Sequence, residues 1–242
     1  MLVPPQNCIG RQKMPAQVPV EISPTRNVTA LVYPAAQRCR ADITLILGHG
    51  AGAGQTSGFM VDFAHALAIR GIDIVTFNFL YIEQGRRLPD PTARLEDCYR
   101  AVIEAVFNRG ELRDNRLAIG GKSMGGRIAS QVAARAVGDL LGLVLLGYPL
   151  HPPGRPDRLR TDHLPEIRAP MLFIQGSHDA FGTPDELRPI INQLHPPAEL
   201  YVVEGGDHSF TVPKKSGIKQ QDVYRKIQDH IATWLRDSAG IA

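Results

Sequence analysis

Short apolar runs alternate along this chain with stretches whose hydrophobic positions recur every three to four residues. The runs Ile43–Leu47, Ile72–Phe79, Arg116–Gly120, Leu141–Leu146, Met171–Gln175 and Leu200–Val203 predict buried strands. Between them lie helical patterns: Gly58–Ala68, a stretch through Leu95, Val102, Ile103 and Val106, and one through Ile128, Val132 and Val137. Thr183-Pro184-Asp185-Glu186 opens a further helix, with Thr183 as cap, Pro184 at the first helical position and Glu186 closing a capping box. Its inner face is Leu187, Ile190, Ile191 and Leu194. A closing helix carries Val223, Ile227, Ile231, Trp234 and Leu235. Two weakly alternating segments come first, Val18–Ile22 and Val28–Val32, and read as exposed edge strands. Strands that alternate with helices predict an α/β architecture, a mostly parallel central sheet with helices on both faces.

Length narrows this picture. At 242 residues the chain suits one large domain, expected over 18–242, with 1–17 as a flexible N-terminal segment. A net charge of +3 with no concentrated run of Lys and Arg argues against nucleic acid as a partner. Cys8, Cys39 and Cys98 show no CxxC spacing, which disfavours a disulfide framework and a zinc site and suits a reducing compartment. The N-terminus has no apolar h-region, and no apolar run approaches the roughly 20 residues of a membrane span. A soluble cytoplasmic protein without membrane contact, metal or cofactor is the expectation; oligomeric state is not legible.

Chemistry concentrates in Gly120-Gly121-Lys122-Ser123-Met124-Gly125-Gly126-Arg127. Here Gly121-x-Ser123-x-Gly125 falls at a strand-to-helix junction, the setting of a nucleophile elbow. A serine hydroxyl that projects clear of a sheet needs a sharp, strained turn, which presses together the residues two before and two after it. The following helix N-terminus favours developing negative charge. A phosphate-binding P-loop would need a glycine where Arg116 stands, so that reading fails.

Elbows of this kind are followed in the chain by an acid and then a histidine, each beyond a strand end. Asp179, in Gly176-Ser177-His178-Asp179, and His208, in Gly205-Gly206-Asp207-His208-Ser209-Phe210, occupy those places. His208 would take the hydroxyl proton, and Asp179 would orient the imidazole. His178 and Asp207 are the nearest rivals; Asp207 adjoins the base and would have to double back to reach the distal ring nitrogen. After the first buried strand, Gly48-His49-Gly50-Ala51-Gly52-Ala53-Gly54 offers a backbone donor at Ala51, to act with Met124 as an oxyanion hole. A dinucleotide fingerprint would want an acidic residue near Asn78, where Phe77-Asn78-Phe79 stands.

Together these motifs resemble the α/β-hydrolase superfamily, specifically its small, lidless, dienelactone-hydrolase-like branch, close to the testis-expressed protein 30 family. The resemblance covers nearly everything beyond the first twenty or so residues, and the elbow with Lys122 and Arg127 is its most specific element. It implies an α/β-hydrolase fold without a cap domain, because His151–Ala169 is too short for one. It also implies cleavage of a small-molecule ester or thioester through an acyl-enzyme. The resemblance does not imply dienelactone itself, whose turnover is associated with a cysteine nucleophile. The alternative is a non-catalytic binding or scaffold protein on the same fold. Arg86, Arg87, Arg155 and Arg158 follow strand ends, where they could ring the mouth of the site or point into solvent.

Overall fold

A computed structural model describes residues 14–108, 111–135 and 138–241. Most of the segment expected to be flexible, residues 1–13, and the helix-face residue Val137 lie outside the described residues. Eight strands form one sheet: β1 (Ala16–Ser23), β2 (Arg26–Tyr33), β3 (Ile43–Gly48), β4 (Asp73–Phe77), β5 (Arg116–Lys122), β6 (Gly142–Leu146), β7 (Met171–Gly176) and β8 (Glu199–Val203). Their order across the sheet is β1-β2-β4-β3-β5-β6-β7-β8. The β1–β2 and β2–β4 pairings are antiparallel, and every later pairing is parallel.

Six helices cover the sheet: α1 (Gly58–Ile69), α2 (Leu80–Glu83), α3 (Thr92–Phe107), α4 (Met124–Ala134), α5 (Pro184–Ile191) and α6 (Gln220–Ser238). The central strands feed both layers by alternation. On β3, Leu45 and Leu47 pack with α1 and α6, while Ile46 points into the layer of α3, α4 and α5. In α6, Ile227, Ile231 and Leu235 are each fully enclosed. Burial of such side chains contributes about 1.5–3 kcal/mol apiece.

Four elements differ from the sequence expectation. The segment expected as a second edge strand, β2, is an inner strand between β1 and β4, with Val28, Ala30, Leu31 and Tyr33 all buried. Its weak alternation has a cause: a strand covered on both faces needs apolar residues on both. β4 stops at Phe77 because Asn78 and Phe79 turn out of the sheet. There the Asn78 side-chain oxygen accepts the Gln55 N–H at 2.9 Å, and the Phe79 N–H donates to His49 Nε2 at 3.1 Å. The short α2 then follows, too brief to show a helical period. In α5 the capping box forms as expected, but the helix ends at Ile191, and Leu194 packs into the core from the loop beyond it.

Strand order sets the site. β3 lies between β4 and β5, so the chain runs outward from β3 to β4 and then crosses back to β5. The helices that follow β3 and β5, α1 and α4, therefore belong to opposite layers. Their loops part at the carboxyl ends of the strands and leave a crevice, the usual ligand position in such sheets.

Candidate active site

β5 delivers Ser123 to the floor of that crevice. The residue has φ 50° and ψ −114°, a conformation that costs a non-glycine residue on the order of 1–3 kcal/mol. Its surroundings enforce it. The Ser123 N–H donates to the Leu146 carbonyl at 2.9 Å, and the Arg127 N–H returns to the Ser123 carbonyl at 3.0 Å. Gly121 and Gly125 close the turn at the points where the sequence requires them. A Cβ on either would run into the Gly48 carbonyl, and one on Gly121 would also lie 2.8 Å from the Gly125 carbonyl carbon. Beneath the turn the buried Tyr99 hydroxyl sits 2.8 Å from the Ile46 carbonyl and 2.7 Å from that of Gly120, and it ties β3 to β5.

His208 and Asp179 reach the same point from the loops after β8 and β7. His208 Nε2 lies 2.8 Å from Ser123 Oγ, and Nδ1 lies 2.7 Å from Asp179 Oδ2. A carboxylate only accepts, so Nδ1 carries the proton and Nε2 is free to accept from the serine hydroxyl. Asp179 is buried and well held. Its Oδ1 accepts the Phe181 N–H at 2.8 Å, and its Oδ2 accepts from Gln175 Nε2 at 2.9 Å. The rivals go elsewhere. Asp207 Oδ1 accepts the N–H groups of Ser209 and Thr211, both at 2.8 Å, and so shapes the loop that carries His208. His178 is exposed and its side chain is not part of the cavity wall.

Above the serine lies a cavity of about 640 Å³, and Ala51 and Met124 line it beside Ser123 and His208. Among the described residues, neither the Ala51 nor the Met124 N–H donates to another protein group. His49 shapes this loop. It is fully buried, its Nδ1–H donates to the Gly50 carbonyl at 2.8 Å, and its Nε2 accepts from Phe79. Burial pushes its pKa below the ordinary histidine value, which suits a ring that must accept at Nε2.

Several contributors are visible in the sequence only as part of a motif or a strand, or not at all. Lys122, next to the serine, is buried with its Nζ donating to the His208 carbonyl at 2.7 Å. The ammonium lies 5.6 Å and 5.9 Å from the ring centres of Phe210 and Phe59. Burial is the main cause that brings its pKa down to about 8, against the opposing pull of Asp179 and Asp207. Gln175 was read only as the end of a strand, yet its amide spans Asp179, Tyr148 and Gly182. Of the two placements open to the loop arginines, the structure has the solvent-facing one. Arg86, Arg87, Arg155 and Arg158 are exposed and none lines the cavity. Arg86 binds Asp90 at 2.7 Å, and Arg155 faces Asp157. The arginines in the cavity wall are Arg127 and Arg160. Arg127 was visible within the elbow motif, whereas Arg160 sits in an irregular loop that has no periodicity to orient it.

A serine at a strained strand–helix turn, hydrogen-bonded to a histidine that is in turn bonded to a buried carboxylate, defines an α/β protein with a serine-centred site. The family follows from comparison. Residues 41–236 match the family model for the alpha/beta hydrolase domain, and the chain belongs to that family. Its fold is shared with solved structures. A serine hydrolase homologue from Coxiella burnetii is 17% identical with a TM-score of 0.71, over 94% of this chain and 99% of that one. Dienelactone hydrolase from Anabaena variabilis is also 17% identical, with a TM-score of 0.70 over 93% and 99% of the two chains. A serine hydrolase without a lid from Xanthomonas campestris reaches 20% identity and a TM-score of 0.69, over 93% and 94%. Among the described residues no group of His, Cys, Asp and Glu could hold a metal ion, and no helix is long and apolar enough to cross a membrane.

Proposed function

We propose that the protein is a serine hydrolase that cleaves a carboxylic ester or thioester of a small molecule through an acyl-enzyme. Ser123 Oγ attacks the carbonyl carbon while His208 Nε2 takes its proton, and Asp179 steadies the imidazolium. The carbonyl oxygen, now negative, receives the N–H groups of Ala51 and Met124. Collapse expels the alcohol or thiol, which leaves with the proton from His208. Water then repeats the sequence, with His208 as its base, and releases the acid.

The observation that carries the reading is the unbroken relay from Ser123 through His208 to Asp179, at 2.8 and 2.7 Å, on the floor of a cavity lined by two uncommitted N–H groups. Membership of the hydrolase family and the lidless fold of its structural neighbours support it. Within that family we place the chain near the testis-expressed protein 30 branch, on the elbow carrying Lys122 and Arg127. A cytoplasmic setting belongs to the same proposal.

Labelling with a fluorophosphonate, together with turnover of para-nitrophenyl esters of graded acyl length, tests the reading. Ser123→Ala should abolish labelling and lower turnover by more than about 10⁴-fold, with the fold unchanged. Labelling that persists and maps to another serine overturns the assignment. A wild-type protein that neither labels nor turns over any ester is a binding protein on this fold.

A further inference from the structure

We propose that the substrate carries a terminal anionic oxyacid group, a carboxylate or a phosphate, which Arg127 and Arg160 bind together. The proposal rests on the hydrolase reading for the bond that is cleaved and adds the charge of the molecule that bears it.

The two arginines arrive by different routes. Arg127 stands on α4 one turn beyond Ser123. Arg160 comes from the loop after β6, and its backbone is pinned on both sides. Its N–H donates to the Leu150 carbonyl at 2.9 Å, and its carbonyl accepts the buried Tyr148 hydroxyl at 2.6 Å. Both side chains line the cavity that contains Ser123 and His208.

Neither has a carboxylate partner among the described residues. Arg127 reaches only Gln131, at 3.4 Å, and Arg160 only the Pro149 carbonyl, also at 3.4 Å. Other arginines nearby are matched. Arg86 and Arg94 share Asp90 at 2.7 and 3.0 Å, and Arg100 and Arg135 share Glu96 at 3.0 and 2.9 Å. Glu96 is thus already engaged, and Asp90, the one acid of the cavity wall among the described residues, is already matched by Arg86 and Arg94.

Two partly buried guanidinium groups that face one cavity are costly to keep. Burial pulls the Arg127 pKa below its ordinary value, and Arg160 pulls it further. A bound anion removes that cost and accepts several charge-assisted hydrogen bonds. Lys122 lines the same wall, but Asp179 and Asp207 act on its ammonium, so the charge that attracts an anion is that of the two arginines. Guanidinium forks suit the paired oxygens of a carboxylate or a phosphate.

The test compares the para-nitrophenyl monoester of adipate with its neutral methyl diester, and with an ω-phosphooxy ester of equal length. One anionic ester should exceed the neutral one in kcat/KM by about tenfold or more, the scale of charge-assisted hydrogen bonds. That ratio should fall toward one in Arg127→Gln/Arg160→Gln and shrink with added salt in the wild type. Arg155→Gln/Arg158→Gln, changed outside the cavity, should keep the wild-type ratio. The salt series needs no variant, and so decides the matter even if the double variant does not fold. Whichever anion gains more identifies the group. Turnover of all three esters with equal kcat/KM overturns the anion site and leaves the hydrolase reading standing. If none is turned over, the hydrolase reading fails instead, and calorimetry with monomethyl adipate and with an ω-phosphooxy acid decides the site. Binding that weakens in the arginine variant supports it, and no binding overturns it.

Discussion

Around Ser123 the backbone is fixed by contact: Gly121 and Gly125 lie so close to the Gly48 carbonyl that neither has room for a Cβ. Across the cavity, Asp179 and His208 are fixed by hydrogen bonds. Gln175 and the Phe181 N–H hold the carboxylate, and a buried ammonium holds the His208 carbonyl. The first arrangement excludes every alternative sterically and depends on what is absent. The second depends on satisfying polar groups that burial has taken from water, and each of those bonds can be removed singly. A serine that must stay strained is suited by the first. A histidine that, in the proposed reaction, passes a proton between partners can be held by the second.

The largest effect expected on the hydrogen-bonded half comes from Asp179. Asp179→Asn should lower the acylation rate by about 10⁴-fold, because an amide no longer fixes the imidazole with its proton on Nδ1. Asp207→Asn should cost far less, since that carboxylate serves its own loop. Pre-steady-state ester hydrolysis by both variants checks the pair, and a reversed order would reassign the acid.

Next in size is a steric test of the contact half. Gly125→Ala should destabilise the fold by roughly 1–3 kcal/mol, the usual cost of overpacking, because the new Cβ meets backbone rather than a side chain that can move. Urea unfolding measures it. A neutral result would mean that the elbow can relax and that contact does not hold it.

The smallest effect, and the most informative about the hydrogen-bonded half, is at Lys122. Lys122→Met keeps much of the apolar stem and removes the charged donor, so kcat/KM should fall about tenfold, the worth of one such bond. It should also leave a pH signature. In the unfolded chain this amine holds its proton up to its ordinary value of 10.5, whereas in the fold it releases it from about 8. Between those values the unfolded state binds more protons, so the wild type gains stability as pH rises from 8 to 10.5. The variant should lack that gain. Thermal melting of both proteins across that range tests it, and parallel curves would show that the ammonium is not buried as described.

The central sheet was legible because β3, β5, β6 and β7 are short apolar runs with glycine or proline nearby, and strands buried on both faces leave that trace. β2 leaves the same trace in weaker form and was read as an edge, since nothing local distinguishes a short inner strand from an outer one. The four-residue α2 carries no period at all. Ser123 was legible for a different reason: its glycines are local steric necessities, and a necessity within one turn is written in consecutive residues.

Asp179 and His208 could be nominated from their place after strand ends, but they stand 29 positions apart, and His208 stands 85 positions from Ser123. Only folding brings them to 2.7 and 2.8 Å. The arginines mark the boundary most sharply. Sequence named Arg86, Arg87, Arg155 and Arg158 because they follow strand ends, and the folded chain lines its cavity with Arg127 and Arg160 instead. Which face of a helix meets a cavity, and which loop charge already has a counterion, depends on neighbours far away in the chain. The residues by themselves determined the strand–helix rhythm and the strained turn, since both are short-range. Tertiary packing alone decided the pairing of charges, because a charge is buried, matched or left waiting only once every element around it is in place.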